Sequence, residues 1–305
     1  MQFQNIVSLG YNCEVSFRIE DFTHDKIKSY PFSWSYITDQ KKFLDALWNL
    51  EDVLKNEIEV LPWGMFLDKK YGISFHGKGD KTTLFQEDGS VNQEVADSMI
   101  EELKSRESYL IEKFKKLLSS DQATLFILKV SSAKDGEENA EFIQGVLEFL
   151  KKNYVSQNFM LLAVAEKNHL EFVKLLGECV CDKFLTVRSI EAFADDGNTQ
   201  TGGDIEGWLD VIGRCGEYCP SPEEEEKRDQ RLQNRIQELE KQRDELLSAK
   251  NWLDEQYHFK DARIGELEKW AEELESGKKW LEEHGQEQEK YIAQLRHIIA
   301  GLMKG

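Results

Sequence analysis

Proline is scarce in this chain of 305 residues, and two of its four prolines lie in one segment, CPSPEEEEKRDQ at residues 219–230. No proline follows Pro222, so a helix beyond that point contains no residue of the type that most strongly breaks helices. The mixture of proline, serine and glutamate predicts a domain boundary. We therefore expect a head at residues 1–220, an acidic linker at 221–231 and a separate C-terminal region at 232–302.

Basic side chains are also few: 39 lysines and arginines stand against 58 acidic residues, a net charge of −19. Residues 223–305 contain 21 acidic and 15 basic residues, and the rest of the chain is still more acidic. Both parts should repel phosphate backbones and anionic lipid. This charge argues against nucleic acid as a partner.

The chain has no apolar run approaching the roughly 20 residues that a membrane-spanning helix needs. The first residues, Met-Gln-Phe-Gln, carry no basic patch, and the apolar run behind them is short. A secretory signal peptide normally has a basic start followed by a longer apolar stretch. The sequence therefore predicts no membrane span and a cytoplasmic location.

Cysteine is rare as well, with five in the chain. Without a secretory signal, so few cysteines argue against a disulfide framework. Cys179 and Cys181 form a C-x-C pair and Cys215 and Cys219 a C-x₃-C pair, whereas structural zinc sites usually use C-x₂₋₄-C spacing twice. We predict reduced cysteines and no metal.

Leucine recurs every seven residues in the C-terminal region. With position a at Ile236, nine of the eleven d positions are leucine, namely Leu232, Leu239, Leu246, Leu253, Leu267, Leu274, Leu281, Leu295 and Leu302. This pattern predicts a left-handed coiled coil and hence a homo-oligomer. Position a mixes isoleucine with charged residues, which leaves dimer and trimer open. Trp252 and Trp280 recur on the outer face, either through duplication of a segment or as a surface for another protein.

The head alternates apolar runs with helical patterns. The runs predict strands at Asn5–Leu9, Ile73–Phe75, Thr124–Val130, Phe159–Ala165 and Phe184–Val187, and the patterns predict helices near 13–20, 39–50, 92–118, 137–152 and 168–178. Runs such as ATLFILKV are typical of strands covered on both faces. The order predicts an α/β fold, a three-layer domain with a mostly parallel sheet. In such sheets ligands bind beyond the carboxyl ends of the strands.

The stretch NIVSLGYNCEVSFRI, residues 5–19, places a cysteine where the first strand turns into a helix. Unpaired backbone N–H groups and the helix dipole stabilise a thiolate there, so Cys13 is a candidate nucleophile. Gly10 permits the tight turn, and the backbone from Gly10 to Asn12, with the Asn12 amide, offers candidate oxyanion donors. The alternative is a small buried side chain at a strand–helix junction.

Three motifs, VSLGYNCEVSFRI, SYPFSWSYI and YGISFHG, resemble a bacterial family described as papain-like cysteine peptidases, a domain of unknown function. The resemblance covers most of the head and none of the C-terminal region. It implies Cys13 as the nucleophile and His76 as its general base, with Pro31, Phe32 and Trp34 in the second motif. His76 follows a predicted strand, so we expect it at the same sheet edge as Cys13.

Two positions depart from the family's pattern. Ser33 stands where the family usually has aspartate, and Gly77 stands where the second residue of a His-Asp pair is expected. Asp80 or Asp204 could orient His76 instead. Loss of the orienting carboxylate would weaken or abolish activity.

The order strand, turn, nucleophile is more typical of small-molecule esterases and acyltransferases than of papain. The arrangement is also similar to capsule-polysaccharide acetyltransferase-like proteins. That likeness implies bacterial surface-polysaccharide biosynthesis and a sugar or polysaccharide precursor as acceptor, and it leaves acyl-coenzyme A open as the donor. We predict a thiol-dependent acyl-transfer enzyme, hydrolase or acyltransferase, on an oligomeric coiled coil. The alternative is a non-catalytic scaffold whose head binds a ligand or a glycosyltransferase.

Two loops complete the set of candidates. Trp34 and Trp63 lie in predicted loops, where aromatic rings either stack on sugar rings or pack into the core, and Trp34 is the candidate substrate-binding residue. The stretch DDGNTQTGGD, residues 195–204, has no phosphate-binding spacing. It predicts a flexible loop that could act as a lid before a helix starting near Asp204.

Overall fold

The computed structural model describes residues 2–25, 28–77, 81–86, 88–131, 133–177, 181–220 and 222–302. The chain divides into two compact units, Met1–Glu226 and Lys227–Gly305. The strands are β1 (Gln2–Phe3), β2 (Asn5–Ser8), β3 (Ser35–Ile37), β4 (Ile58–Val60), β5 (Met65–Asp68), β6 (Ile73–His76), β7 (Thr124–Lys129), β8 (Phe159–Glu166), β9 (Leu185–Ile190) and β10 (Glu217–Tyr218). The helices are α1 (Glu14–Thr23), α2 (Gln40–Trp48), α3 (Gln93–Leu118), α4 (Gly136–Asn153), α5 (Phe172–Leu175), α6 (Ile205–Gly213) and α7 (Pro222–Leu302).

A parallel sheet forms the centre of the head. Its four strands lie in the order β2-β7-β8-β9, and every neighbouring pair is parallel. All six residues of β7 are buried, as expected for a strand that is apolar on both faces. The predictions of a mixed α/β fold and of a mostly parallel sheet are confirmed for this part of the head.

Alternate residues of the sheet enter two separate apolar cores. Phe126 and Leu128 of β7 belong to the larger core, which also takes side chains from α2, α3 and α4. Leu125 and Ile127 belong to the smaller core, which is completed by α1 and by Trp208 of α6. Because side chains alternate along a strand, the two cores cover opposite faces of the sheet.

A second sheet is antiparallel, in the order β3-β6-β5-β4. It contains Ile73–His76, so His76 does not belong to the sheet that carries Cys13, contrary to the sequence expectation. The reason is the short connection from β5 to β6, in which Gly72 N donates to Asp68 O at 2.8 Å. Gly72 has a φ of +60°, and so tight a hairpin joins only antiparallel strands.

Four helices of the head begin at positions capped by a side chain. Side-chain oxygens of Asp39, Asn92, Asp135 and Asp204 accept hydrogen bonds from backbone N–H groups in the first turns of α2, α3, α4 and α6. Such caps satisfy donors that a helix start leaves without a partner. The helix predicted near Asp204 is therefore present, whereas the one predicted near 168–178 is only the short α5.

The longest helix, α7, begins at Pro222 and continues to Leu302, and it provides all of the described part of the second unit. Proline is well suited to a first helical position, and the helix includes residues 222–231, which were expected to be a linker. At 1.5 Å per residue, α7 is about 120 Å long. The d-position leucines from Leu232 to Leu295 are exposed, as with Leu246 (72%) and Leu274 (75%). None of the helices in the described part of the chain has both the length and the apolar composition needed to cross a membrane.

Candidate active site

The turn before Cys13 is tight and has an unusual backbone. Leu9 N donates to Ile127 O at 3.0 Å, and then Gly10 and Tyr11 have φ values of +90° and +88°. A positive φ at a residue with a side chain costs on the order of 1–3 kcal/mol. The Tyr11 hydroxyl bonds to the hydroxyl of Ser131, which helps to hold this conformation. The turn delivers the chain from the carboxyl end of β2 directly into α1.

Cys13 is the residue at the start of α1, and its side chain makes no capping hydrogen bond. That task falls to Asn12, whose Oδ1 accepts a hydrogen bond from Glu14 N at 3.1 Å. The thiol therefore lies at a helix N-terminus, where the dipole and the first N–H groups favour a thiolate. The position expected from the sequence is the position observed.

His76 meets Cys13 from the antiparallel sheet. The distance from Cys13 Sγ to His76 Nε2 is 3.3 Å, within hydrogen-bonding range. A base this close to a thiol can accept its proton without a rearrangement of the backbone. Residues 63 positions apart in sequence are thus brought together in the geometry of a nucleophile and its base.

The backbone of His76 is held by the sheet and by α3. His76 pairs with Met65 of β5, and Arg106 Nη2 donates to His76 O at 2.9 Å. Arg106 also pairs with Glu107 at 3.2 Å. Burial raises the pKa of the Glu107 carboxyl, and the Arg106 guanidinium partly offsets that rise. The arginine therefore connects a buried carboxyl group to the end of the strand that presents the imidazole.

Cys13 and His76 open into a cavity of about 650 Å³. Its described lining consists of Asn12, Cys13, Tyr36, Thr38, Trp63, Met65, His76, Gly197 and Thr199. The volume is within the range of small-molecule sites, roughly 300–1,000 Å³. Trp63 is 65% exposed, so its ring is available at the rim. A reacting group placed here would contact both members of the pair.

The candidate oxyanion donors differ in their surroundings. Gly10 N–H donates to Ser8 Oγ at 3.2 Å, so this donor already has a partner. Asn12 lines the cavity beside Cys13, and its Oδ1 is engaged at Glu14. Because Asn12 belongs to the described cavity lining and Gly10 does not, Asn12 is the better-placed candidate of the two.

Trp34 lies away from the described cavity lining. Its ring makes an edge contact with Phe17 at a centroid distance of 5.1 Å, and its Nε1 donates to Ser29 Oγ at 3.1 Å. Among the described residues that line the cavity, Tyr36 and Trp63 supply the aromatic rings. A role for Trp34 in substrate binding stays a prediction.

Asp80 and Asp204 are the two carboxylates that the sequence offers for orienting His76. Asp80 lies outside the described residues. Asp204 caps α6, with Oδ1 accepting from Gly207 N at 2.9 Å and Oδ2 accepting from Glu191 N at 2.8 Å. Both of its oxygens are therefore engaged at backbone N–H groups. This contact pattern accounts for Asp204 without a role at His76.

The positions that depart from the family's pattern have structural explanations. Ser33 is fully buried, and its Oγ accepts a hydrogen bond from Tyr30 N at 3.0 Å. A Cβ at Gly77 would lie 2.4 Å from the ring of Phe66 and 2.8 Å from the methyl carbon of Met99. An aspartate at position 77 therefore requires a different packing of these two side chains.

Sequence reasoning missed most of the cavity wall. Tyr36, Thr38 and Met65 lie on or beside strands of only three or four residues, which are too short to show a clear alternating pattern. Thr199 lies in the polar loop after β9. Alternation in SYIT at residues 35–38 was the signal that could have placed Tyr36 and Thr38 on one face.

Comparison with protein-family models, curated proteins and solved structures finds no match for this chain. Within the described ranges, no group of three or more histidine, cysteine or acidic residues is arranged to hold a metal ion. Cys13, Cys181, Cys215 and Cys219 are thiols rather than disulfides, while Cys179 lies outside the described residues.

Proposed function

We propose that the head is a thiol-dependent acyl-transfer enzyme, a hydrolase or an acyltransferase. The observation that carries this proposal is the 3.3 Å contact between Cys13 Sγ and His76 Nε2, made at a helix N-terminus and inside an open cavity. Cys13 is the nucleophile, His76 the general base and then the general acid, and Asn12 the oxyanion donor.

The proposed reaction has two steps. His76 accepts the Cys13 proton as Sγ bonds to the carbonyl carbon of the acyl donor, and the tetrahedral oxyanion is stabilised by the Asn12 amide. The bond from that carbon to the leaving group then breaks, and His76 returns the proton to the leaving group. Water or an acceptor hydroxyl attacks the resulting thioester and passes its proton to His76. The bond from the carbonyl carbon to Sγ then breaks, and His76 returns that proton to Sγ, which restores the Cys13 thiol.

The acceptor class follows from the resemblance and from one feature of the cavity. A sugar or polysaccharide precursor is the proposed acceptor, in bacterial surface-polysaccharide biosynthesis in the cytoplasm, with acyl-coenzyme A retained as a candidate donor. The exposed ring of Trp63 at the cavity rim supports this class, because aromatic faces stack well on sugar rings.

The finer architecture belongs to the same proposal. The two apolar cores on opposite faces of the parallel sheet support a three-layer head. Exposed leucines at eight of the eleven d positions of α7 support a coiled coil between copies of this chain, since an isolated helix cannot bury such a stripe. The enzyme would then be a homo-oligomer.

A non-catalytic scaffold is the second candidate, and Gly77 favours it. Phe66 and Met99 pack closely around Gly77. An aspartate, which the family has next to its histidine, would fit at position 77 only if these two side chains moved. In this alternative the head binds a ligand or a glycosyltransferase, and α7 sets the spacing between heads.

The rate of Cys13 alkylation by iodoacetamide, measured against pH by peptide mass spectrometry, tests the enzyme proposal. We expect a midpoint at least about one pH unit below the ordinary thiol value of about 8.5. Cys181 is the internal reference, because it is an exposed thiol of the same chain. His76→Ala should move the midpoint of Cys13 upward. His169→Ala removes a histidine that pairs with Glu166 and lies outside the described cavity lining, so it should leave the midpoint unchanged.

If the Cys13 midpoint has the ordinary value and does not change in His76→Ala, His76 does not activate Cys13. That result would refute the enzyme proposal and favour the non-catalytic scaffold. A lowered midpoint that depends on His76 supports the enzyme and justifies a screen of acyl donors with Cys13→Ser as the inactive control.

A further inference from the structure

The loop between β9 and α6 forms one side of the Cys13 cavity. We name residues 191–204 the wall loop. Its ends are close together, since Asp204 N donates to Ala192 O at 2.9 Å and Glu191 N donates to Asp204 Oδ2 at 2.8 Å. Gly197 and Thr199, near its tip, line the cavity. A closed loop of this size is typical of the compact surface loops that often carry function.

Arg18 holds the tip of the wall loop. This arginine lies one turn after Cys13 on α1 and is fully buried. Its Nη2 donates to Thr199 O at 3.0 Å and to Gln200 O at 2.6 Å, while Nη1 pairs with Asp21 at 2.7 Å. A buried guanidinium that lost these partners would be left without compensation, so movement of the tip is costly.

Glu14 holds the base of the wall loop from the residue next to Cys13. Its Oε1 accepts hydrogen bonds from Ala194 N and from Trp208 Nε1, both at 3.0 Å. Its Oε2 pairs with the buried Lys129 at 2.7 Å. A carboxylate that is fully buried with three donors is a rigid attachment point.

The shape of the loop is adapted to this attachment. Gly203 has a φ of +75°, and a Cβ there would lie 2.6 Å from Ala194 N and 3.0 Å from Glu14 Oε1. Only glycine therefore lets the loop backbone approach the carboxylate this closely. The same helix that presents Cys13 thus also fixes the wall loop at two points.

We propose that the wall loop is a fixed wall that determines the size of the group admitted to Cys13, with Arg18 and Glu14 as its positioning residues. The inference rests on the proposed function only in taking Cys13 as the reacting group. It replaces the lid expected from the sequence, because a lid needs weak attachments and this loop is held by buried charges.

Gly197 is the position that controls the size of the opening. A Cβ at this residue would meet nothing within 4 Å, although the residue lines the cavity. A larger side chain can therefore be placed there without a clash with the protein, and it would occupy cavity space. The glycine thus leaves room that a bulky acyl or acceptor group requires.

The test compares two neutral alkylating reagents of different size on the full chain, iodoacetamide and N-(1-pyrenyl)iodoacetamide. The measured quantity is the ratio of their rates at Cys13, followed by peptide mass spectrometry. In Gly197→Phe we expect the pyrenyl reagent to slow by about tenfold relative to iodoacetamide. Asp195→Phe, a change at an exposed residue of the same loop outside the described cavity lining, should leave the ratio unchanged.

Arg18→Lys tests the positioning role, since lysine keeps the charge but not the fork that reaches two carbonyls. We expect the looser loop to admit the pyrenyl reagent more readily and to bring the ratio closer to that of an unfolded peptide containing Cys13. Thermal melting establishes that the variant is folded. If Arg18→Lys does not fold, the rate ratio in Gly197→Phe alone decides whether the wall loop limits the size of the admitted group.

The outcomes separate this inference from the proposed function. An unchanged ratio in folded Gly197→Phe, or a Cys13 that neither reagent reaches in the unmodified chain, would overturn the wall. The proposed function depends instead on the pH midpoint of Cys13 and on His76. A size-selective Cys13 with an ordinary midpoint would therefore support the wall while refuting the enzyme.

Discussion

Gly10 shows how one residue determines the geometry at Cys13. Its φ of +90° belongs to a region that residues with a side chain rarely occupy. A Cβ there would also lie 3.0 Å from Phe32 O and 3.1 Å from Ser35 Oγ. These contacts come from the loop after α1 and from the first residue of β3, so Gly10 serves both the turn and the packing of the second sheet against it.

We predict that Gly10→Ala lowers the free energy of unfolding by about 1–3 kcal/mol, because alanine adds backbone strain and a steric overlap. Urea denaturation measures this change. Gly213→Ala is the matched control, since its Cβ would meet Phe22 at an ordinary 3.6 Å. It should cost little or stabilise α6. Equal losses in the two variants would contradict the argument from Gly10.

At the scale of elements, His76 reaches Cys13 because it ends β6, an inner strand of the antiparallel sheet. β6 is fixed by its pairing with β5 and β3, and its last residue is attached to α3 through Arg106. No contact within a helix or a hairpin brings Cys13 and His76 together. The pair forms only when the second sheet packs beside the carboxyl end of β2.

The start of α6 gives a prediction at the same scale. Asp204→Ala should lower the free energy of unfolding by about 0.5–2 kcal/mol, the usual cost of losing an N-cap. Asp204→Asn should retain most of that stability. In both variants we expect the pH midpoint of Cys13 alkylation to be unchanged, because both Asp204 oxygens bond to backbone N–H groups. A midpoint that rises in Asp204→Asn would instead show that this carboxylate acts on His76.

At the scale of the whole molecule, the exposed apolar stripe of α7 is the largest unexplained feature of the second unit. Leu246 is 72% exposed and Leu253 is 59% exposed, although both occupy d positions. A single helix of this length has no means of burying them. Association with another copy through the stripe removes this apolar surface from water.

We predict that the full chain is oligomeric at micromolar concentration and that Leu246→Lys with Leu253→Lys shifts it toward monomer. Each change places a charge in the apolar seam, where it loses water without gaining a partner. Sedimentation equilibrium measures the mass. Ser248→Lys with Glu255→Lys adds the same side chains at two f positions, on the outer face, and should leave the mass unchanged. A monomeric parent chain would contradict the coiled coil.

Several elements of the head could be predicted because their signals are local. β7 and β8 are continuous apolar runs, and α3 and α4 repeat apolar residues at helical spacing, so both types were placed nearly correctly. β3, β4 and β5 were missed, since strands of three or four residues carry too little periodicity to be separated from loops. That omission led to the expectation that His76 lies on the sheet of Cys13.

By itself the sequence determined the turn at Gly10, the helix start at Cys13 and the heptad pattern of α7, because each depends on residues within a few positions of one another. Only the tertiary structure decided that His76 meets Cys13, that Asp204 also accepts a hydrogen bond from Glu191 N, and that Glu14 and Arg18 hold the wall loop. Those contacts join residues 13 to 182 positions apart in the chain. Local patterns cannot specify them, because they arise from the way separate strands and helices pack together.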